Sequence, residues 1–584
     1  MAMGTAKKSL SFLKLAETFE SLENTSSGLQ MITILAKFLS SASPDDARIA
    51  AYFIQGEIGP PYADINLGIS TKSAISIIAR ATRKAPKDIQ KGYGMTGDLG
   101  ILVESLLESK PSGSIALYDV YQGLSEVAST TGPGSMEMKA SLLVNLLDKC
   151  SPREAKYLVR LISGALRLGV ADMTYLYSLS QAVTGSRGNK LLLESAYNVL
   201  SDLGEVSYLA VKEGIGFVKK VKPVLGIPIR FMLAQRIRDL EELKSHIPGN
   251  LFVEYKYDGE RVQAHLQMEG EILLYSRRHE NITRQFPEVA AALANSFRGK
   301  NCIIDGEIAA IDKNTGKLGQ FQALMTRRRK YKVEEYIKKV PVRLFLFDVM
   351  YRDGCSLLNE PLTKRKRVLE QSFSPSGGIA FAEYVITEEP AEVEDFFAKA
   401  VDYGAEGVVM KDENGNYEAG RRGWKWIKYK KEYEKEMRET FDLAVAGATH
   451  GAGRRAGAFG SLLMASFDPE SGKYFSFTKV GAGFTDKTLA ELPKKLAKYR
   501  IPEKYHTLET NMEMDIWFQP FVVAEIAGGQ ITVSPVHTVA RQKLKKGGLA
   551  LRFPRFIRWR PDKSSEQATG VDEIYRIYLG TRRS

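Results

Sequence analysis

The sequence predicts three architectures in succession: an all-α N-terminal region, a mixed α/β (α+β) middle region and a C-terminal β-barrel. Three observations carry this reading. Over about the first 220 residues apolar side chains recur at spacings of three and four, the period of a helix buried on one side. Two prolines and a glycine in Lys219–Pro228 (KKVKPVLGIP) then break that pattern. Beyond them the chain turns to short β-branched or aromatic runs bounded by Gly, Asp and Asn. At 584 residues the chain is too long for one core. About 150 residues per domain suggests about four domains, and the pattern divides into three: 1–222, 223–432 and 433–584.

The N-terminal MAMGTAKKSLSFLKLAETFE lacks an uninterrupted apolar core and reads as an amphipathic helix, not a signal peptide. SGLQMITILAKFLSSA, SAISIIARAT and KYLVRLISGALRLGV each predict a helix, and SPDDARIAAYFIQG opens on a capping serine or aspartate. Residues 1–222 hold 24 basic and 21 acidic side chains, so their charge is nearly balanced. In the middle region LFVEYKYDGERVQAHLQ, GEILLYSRR, NCIIDGEIAAID, VRLFLFDVMY and EGVVMKD predict strands, with helices at EEYIKKV and EVEDFFAKAVDYG. From Phe441 follow FDLAVAGAT, GSLLMASFD, YFSFTKVG and FVVAEIAGGQITVS, with one helix at DKTLAELPKKLAKYR. Five or so strands and one helix suit a small barrel of the oligonucleotide-binding type (OB-fold).

Composition narrows the function. Hydrophobic residues are 44% and charged residues 26%, which excludes wholesale disorder. The 82 basic against 69 acidic residues leave +13, favouring a polyanionic partner. Cys150, Cys302 and Cys355 are too dispersed for a disulfide framework or a CxxC zinc site and suit a reducing interior. No apolar run reaches the length of a membrane span, so a soluble, intracellular protein is expected. The six histidines show no ligand spacing and read as structural or surface residues. No G-x-x-x-x-G-K-[ST] is present, and GAGRRAG at Gly451–Gly457 lacks the strand–helix setting of a dinucleotide site.

The chemistry concentrates in charged residues planted in apolar strands. In FVEYKYDGER, alternation puts Glu254, Lys256 and Asp258 on one face. A lysine held between acids at a strand end can serve as a nucleophile, and an exposed charged face is the bland alternative. Asp305 and Glu307 share a face of CIIDGEIAAID, Glu406 opens a strand ending at Lys411, and Lys428 and Lys430 share a face of WIKYK. Such charges cost desolvation unless they converge. Carboxylates among cations suit a site for divalent metal and phosphate.

These motifs form an ordered set. Lys256-Tyr-Asp258-Gly259-Glu-Arg261 resembles the KxDGxR signature of covalent nucleotidyltransferases. YSRR (Tyr275–Arg278), DGE (Asp305–Glu307), LFLFDVMY, EGVVMK, WIKYKKEY and RFPRFIRWRPDK (Arg552–Lys563) follow in that superfamily's order. YLVRLISGALRLGVAD, SDLGEVSYLA, TKVGAGFTD and EIAGGQITVSPVHT resemble the replicative ATP-dependent DNA ligases of archaea and eukaryotic nuclei. Phe231 departs from that family, which usually has proline before Met-Leu-Ala. The resemblance implies an all-α DNA-binding domain, an α/β nucleotidyltransferase domain and an OB-fold domain. An RNA ligase or a GTP-using capping enzyme is the alternative, against which the helical N-terminal region argues.

The resemblance also implies roles. Lys256 would attack the α-phosphate of ATP to form lysyl–AMP, with its pKa lowered by neighbouring cations or metal. Glu254 and Arg261 would contact adenine or ribose, and Phe347 would stack on the base. Arg277 and Glu307 would meet ribose or phosphate, Arg422, Lys428 and Lys430 would bind phosphate, and Glu307 and Glu406 would hold Mg²⁺ or Mn²⁺. Residues Arg541–Lys563 hold nine basic residues and one acid, Asp562, interleaved with Phe553, Phe556 and Trp559, and read as a partly packed, phosphate-facing segment. Within it Arg558, Arg560, Asp562 and Lys563 would orient the pyrophosphate leaving group. The implied activity is nick sealing in DNA replication, repair and recombination, by a monomer acting on nicked duplex DNA. A sliding-clamp partner is implied too, although no Q-x-x-hydrophobic-x-x-aromatic-aromatic box stands out.

Overall fold

Serine and proline at the right positions start the N-terminal helices. Ser43 and Ser151 each cap a helix that begins with proline, and Asp46 and Glu154 complete reciprocal capping boxes. Twelve α-helices run from Phe12 to Glu213 among the described residues, around a core that includes Phe12, Phe19, Phe53, Tyr157 and Leu158. The helix expected throughout KYLVRLISGALRLGV spans Pro152–Ile162 and then stops. Gly164 takes a left-handed φ of 63°, the conformation that ends helices.

The structure is a computed structural model describing residues 9–108, 114–166, 168–237, 240–267, 271–312, 315–319, 321–327, 333–375, 377–430, 440–451, 459–544 and 546–583. The expected boundary at 432–433, Lys545 and most of Gly451–Gly457 lie outside these. The chain forms two compact units, Met1–Glu434 and Lys435–Ser584. No helix among the described residues is long and apolar enough to cross a membrane.

In the first unit, the segment from Gly226 to Met232 joins the helices to two sheets. Strands β1 (Leu233–Arg236), β2 (Leu251–Lys256), β3 (Glu260–Gln267), β4 (Leu273–Ser276), β5 (Asn301–Ala310), β6 (Val342–Arg352), β7 (Cys355–Ser356), β8 (Ile379–Phe381), β9 (Tyr384–Thr387), β10 (Gly407–Asp412) and β11 (Arg422–Lys430) build them. One sheet has the order β1-β11-β10-β2-β9, and the other runs β4-β3-β5-β6-β7 with β8 parallel to β6. The joining segment is stitched down. Gln263 exchanges hydrogen bonds with both backbone groups of Ile229, at 2.7 and 3.0 Å. The Gly226 N–H donates to His265 Nδ1, and the Tyr275 hydroxyl donates to the Gly226 carbonyl. Next to it, Arg230 pairs with Asp172 of the helical region at 3.1 Å.

The second unit is richer in strands than expected. Ten occur among its described residues: β12 (Thr440–His450), β13 (Phe459–Asp468), β14 (Lys473–Val480), β15 (Arg500–Ile501), β16 (Leu508–Glu509), β17 (Ile516–Phe518), β18 (Val523–Ala527), β19 (Gln530–Ser534), β20 (Gly548–Arg552) and β21 (Arg555–Trp559). Several are two or three residues long, too short to show an alternating pattern in sequence. β12 curls: one edge pairs with β13, and the other pairs with β18 near its start and β17 near its end. A second helix, Val571–Arg583, adds Val571, Ile574 and Tyr578 to the core.

Candidate active site

Lys256 ends β2, and the chain turns at once through Asp258 and Gly259 into β3. The turn passes so close to β5 that a Cβ at Gly259 would lie 2.2 Å from the Ile308 carbonyl oxygen, so only glycine fits. Antiparallel pairing of β2 with β10 sets Lys256 beside Gly407, and the Glu406 N–H donates to the Lys256 carbonyl at 2.8 Å. The Lys256 ammonium meets Glu406 Oε2 at 2.7 Å, and Lys430 Nζ reaches the same oxygen at 2.5 Å.

This pairing corrects the expected state of the amine. Burial pulls the Lys256 pKa down, but Glu406 and Glu307 outweigh it and hold the group above an ordinary lysine. Without substrate, Lys256 is a protonated, ion-paired side chain. Two nearby acids shift upward: burial pushes Glu307 up to about 8, and burial with the adjacent Glu406 charge raises Asp258 to about 6.

Arg261 is fixed from several sides. Its guanidinium binds Asp305 at 3.1 and 2.7 Å and donates to the Met232 carbonyl at 2.8 Å. The rings of Phe231, Phe347 and Trp426 surround it, with centroids 4.8, 5.5 and 5.3 Å from the guanidinium carbon. Tyr417 donates to Asp305 Oδ2 at 2.8 Å. Asp305 therefore holds Arg261 and is not a free partner of Glu307. Glu254, expected to face nucleotide, is buried between two ammonium groups: Lys366 at Oε1 and Lys411 at Oε2.

On β11, Lys428 carries a pKa lowered by burial and by Lys430, Lys256, Arg422 and Arg277 around it. Among the described residues, no carboxylate forms an ion pair with Lys428, Arg277 or Arg422. A cluster of like charges without counter-charge is unfavourable alone and suits a phosphate.

These motifs coincide with known proteins along nearly the whole chain. The ATP dependent DNA ligase domain matches residues 231–430, the DNA ligase N terminus 11–180, and the ATP dependent DNA ligase C terminal region 455–563. The DNA ligase of Hyperthermus butylicus is 41% identical over 592 residues, covering 98% of this chain and 97% of that protein. This chain belongs to the ATP-dependent DNA ligase family. The DNA ligase of Saccharolobus solfataricus is also 41% identical, over 97% of both chains. A solved structure named Pmar-Lig_PreS3 shares the fold, with a TM-score of 0.53 at 18% identity, covering 94% of this chain and 99% of that one.

The structure of this ligase gathers Glu254, Lys256, Arg261, Glu307, Phe347, Lys428 and Lys430 in the two sheets of the first unit, with Arg277 after β4, Glu406 just before β10 and Arg422 at the start of β11. Arg558, Arg560, Asp562 and Lys563 lie in the second unit, and its acids hold the three cations. Arg558 Nε meets Glu525 at 2.7 Å, Arg560 spans Asp442 and Asp562, and Lys563 reaches Asp442 at 2.6 Å. Arg560 pulls the Asp562 carboxyl down to about 2. The segment is partly packed: Phe556 is buried and Trp559 packs against the core, whereas Phe553 is 73% exposed. Sequence reasoning missed Lys366, Arg365, Tyr417 and Trp426 in the first unit and Asp442 and Glu525 in the second. The aromatic pair flanking Arg422 in YEAGRRGWKW was the available signal for Tyr417 and Trp426.

Proposed function

We propose that this ligase seals nicked duplex DNA through a lysyl–AMP intermediate on Lys256. Lys428 carries this reading: Lys256, Arg422 and Arg277 all act on it, and Lys428, Arg277 and Arg422 have no carboxylate ion pair among the described residues, so they form a receptor for phosphate near a nucleophile. The amine attacks the α-phosphate once its pair with Glu406 opens and it loses its proton. Lys430 already shares Glu406 Oε2, so that carboxylate keeps a cation when Lys256 leaves. Pyrophosphate departs, AMP passes to the 5′-phosphate of the nick, and the 3′-hydroxyl then displaces AMP.

Arg261 and Phe347 form the wall against which nucleoside rests, with Glu254 beneath it. Glu307 and Glu406 would hold Mg²⁺ or Mn²⁺. Burial raises the Glu307 carboxyl to about 8, so it gains from a cation, and a hard divalent ion needs only one or two carboxylates beside phosphate oxygens. Such an ion would offset charge on the phosphates. Residues 1–222 would grip DNA, 223–432 hold nucleotide and 433–584 supply the C-terminal motif; the three family matches support this division. The setting is the cell interior, in replication, repair and recombination, as a monomer that a sliding clamp recruits.

The test is incubation with α-labelled ATP and Mg²⁺ followed by a denaturing gel. Label should remain on the intact chain and disappear in Lys256→Ala. Label surviving that change would place the nucleophile elsewhere.

A further inference from the structure

Two consecutive cations leave the Leu362–Ser372 helix in different directions, since neighbouring helical side chains project about 100° apart. Arg365 grips Asp348 on β6, with Nε–Oδ1 at 2.7 Å and Nη2–Oδ2 at 3.0 Å. Lys366 reaches the other sheet and meets Glu254 Oε1 on β2. Glu254 Oε2 accepts from Lys411 on β10 at 2.6 Å. All five side chains are at most 5% exposed. One short helix thus ties down both sheets of the site.

Charge makes this more than a fastening. A buried carboxylate needs one cation, and Lys411 alone would satisfy Glu254. With Lys366 and Arg365 present, three cations face two carboxylates in a solvent-free place, and excess buried charge is costly. The Lys411 ammonium lies 4.5 Å from the Phe347 ring centroid and 4.2 Å from that of Trp426. Lys366 is thereby linked to those rings in two steps, through Glu254 and then Lys411.

We propose that Lys366 is a positioning residue for the nucleotide: it fixes the Glu254 carboxylate and, through it, the Lys411 ammonium against Phe347 and Trp426. The base-binding surface is then set before ATP arrives. This rests on the reading of Glu254 and Phe347 as nucleotide-binding residues. Loss of Lys366 leaves Glu254 with one partner and frees Lys411 and the rings to move. Lys256 and Lys428 keep their own surroundings, so binding of ATP suffers more than the transfer step.

The experiment measures lysyl–AMP formation against ATP concentration for full-length Lys366→Met, Lys366→Arg, Glu254→Gln and the Lys366→Met/Glu254→Gln double variant. Lys366→Met should raise the KM for ATP about tenfold and leave the maximal rate within about threefold. Lys366→Arg should recover most of the loss. The double variant should cost no more than the worse single change, because both act along one path. An unchanged KM in Lys366→Met, multiplying effects in the double variant, or no rescue by arginine would overturn the proposal. Where the methionine variant does not fold, Lys366→Gln, which keeps a donor, carries the same comparison. A Glu254→Gln variant with unaltered KM would instead sink the nucleotide-binding reading of Glu254. A raised KM in Glu254→Gln with a normal Lys366→Met rejects the role of Lys366 alone.

Discussion

The candidate nucleotide site and the C-terminal motif use the same side-chain types in opposite electrostatic states. In the first unit, Arg277, Arg422 and Lys428 crowd together without a carboxylate partner among the described residues, and their mutual repulsion helps lower the Lys428 pKa. In the second unit, Glu525, Asp442 and Asp562 hold Arg558, Arg560 and Lys563. Unpaired cations form a standing receptor for phosphate. Paired ones must release an acid first, so what they contribute is conditional. The exchange costs little where solvent reaches, because such pairs are worth about 0–1 kcal/mol. A standing receptor suits groups used in every step, and a conditional one suits groups used in one.

The largest expected effect comes from Lys256→Arg, which tests whether the standing receptor serves a nucleophile. A guanidinium stays protonated, so lysyl–AMP formation should fall by more than about a thousandfold. Substantial labelling of this variant would break the comparison at its root. Next, Lys428→Met removes a cation that has no carboxylate partner to release among the described residues. Both lysyl–AMP formation and sealing of a nick already carrying 5′-AMP should fall on the order of a hundredfold. Sparing of either reaction would show that Lys428 serves only one.

Arg560→Ala and Lys563→Ala probe the conditional set and should slow the first step about tenfold, with sealing of the pre-adenylylated nick changed by less than about threefold. Equal losses in the two assays would erase the distinction between the regions. Point changes are sharper than removing residues 552–584, which would strip β21 and the core residues Phe556, Ile574 and Tyr578 from the barrel. The smallest effect belongs to Asp442→Asn. If Asp442 only stores the two cations, the first step should move by less than about threefold, and a large drop would show that the acid itself is needed.

The two regions were unequally legible in the sequence. Lys256, Lys428 and Lys430 stand on strands whose alternation sorts faces, so their grouping could be read from local pattern. The state of Lys256 could not, because it depends on Glu406 approaching from the bend that leads into β10. Arg365 and Lys366 sit in LTKRKRVLEQS, which looks like a solvated basic helix. Their burial is decided by Asp348 and Glu254, on two different sheets. The C-terminal motif was read as nine cations and one acid, yet Asp442, 118 residues before Arg560, neutralises two of them. The fold shows the same limit: the helical character of the N-terminal region announced itself by period, whereas strands as short as β15 and β16 carry no period to read.

The stitched segment before β1 bears on how such a protein can be recombined. Gly226–Met232 precedes the central sheets in sequence, yet its backbone groups are spent on Gln263, His265, Tyr275 and Arg261. It behaves as an outer layer of the two sheets that carry the candidate site, not as a rope between modules. One inserted residue adds about 3.3 Å of extended chain, enough to pull the Met232 carbonyl out of reach of Arg261. A chimaera that takes its helical region from a relative should therefore be joined ahead of Gly226, so that this segment travels with the sheets it lines.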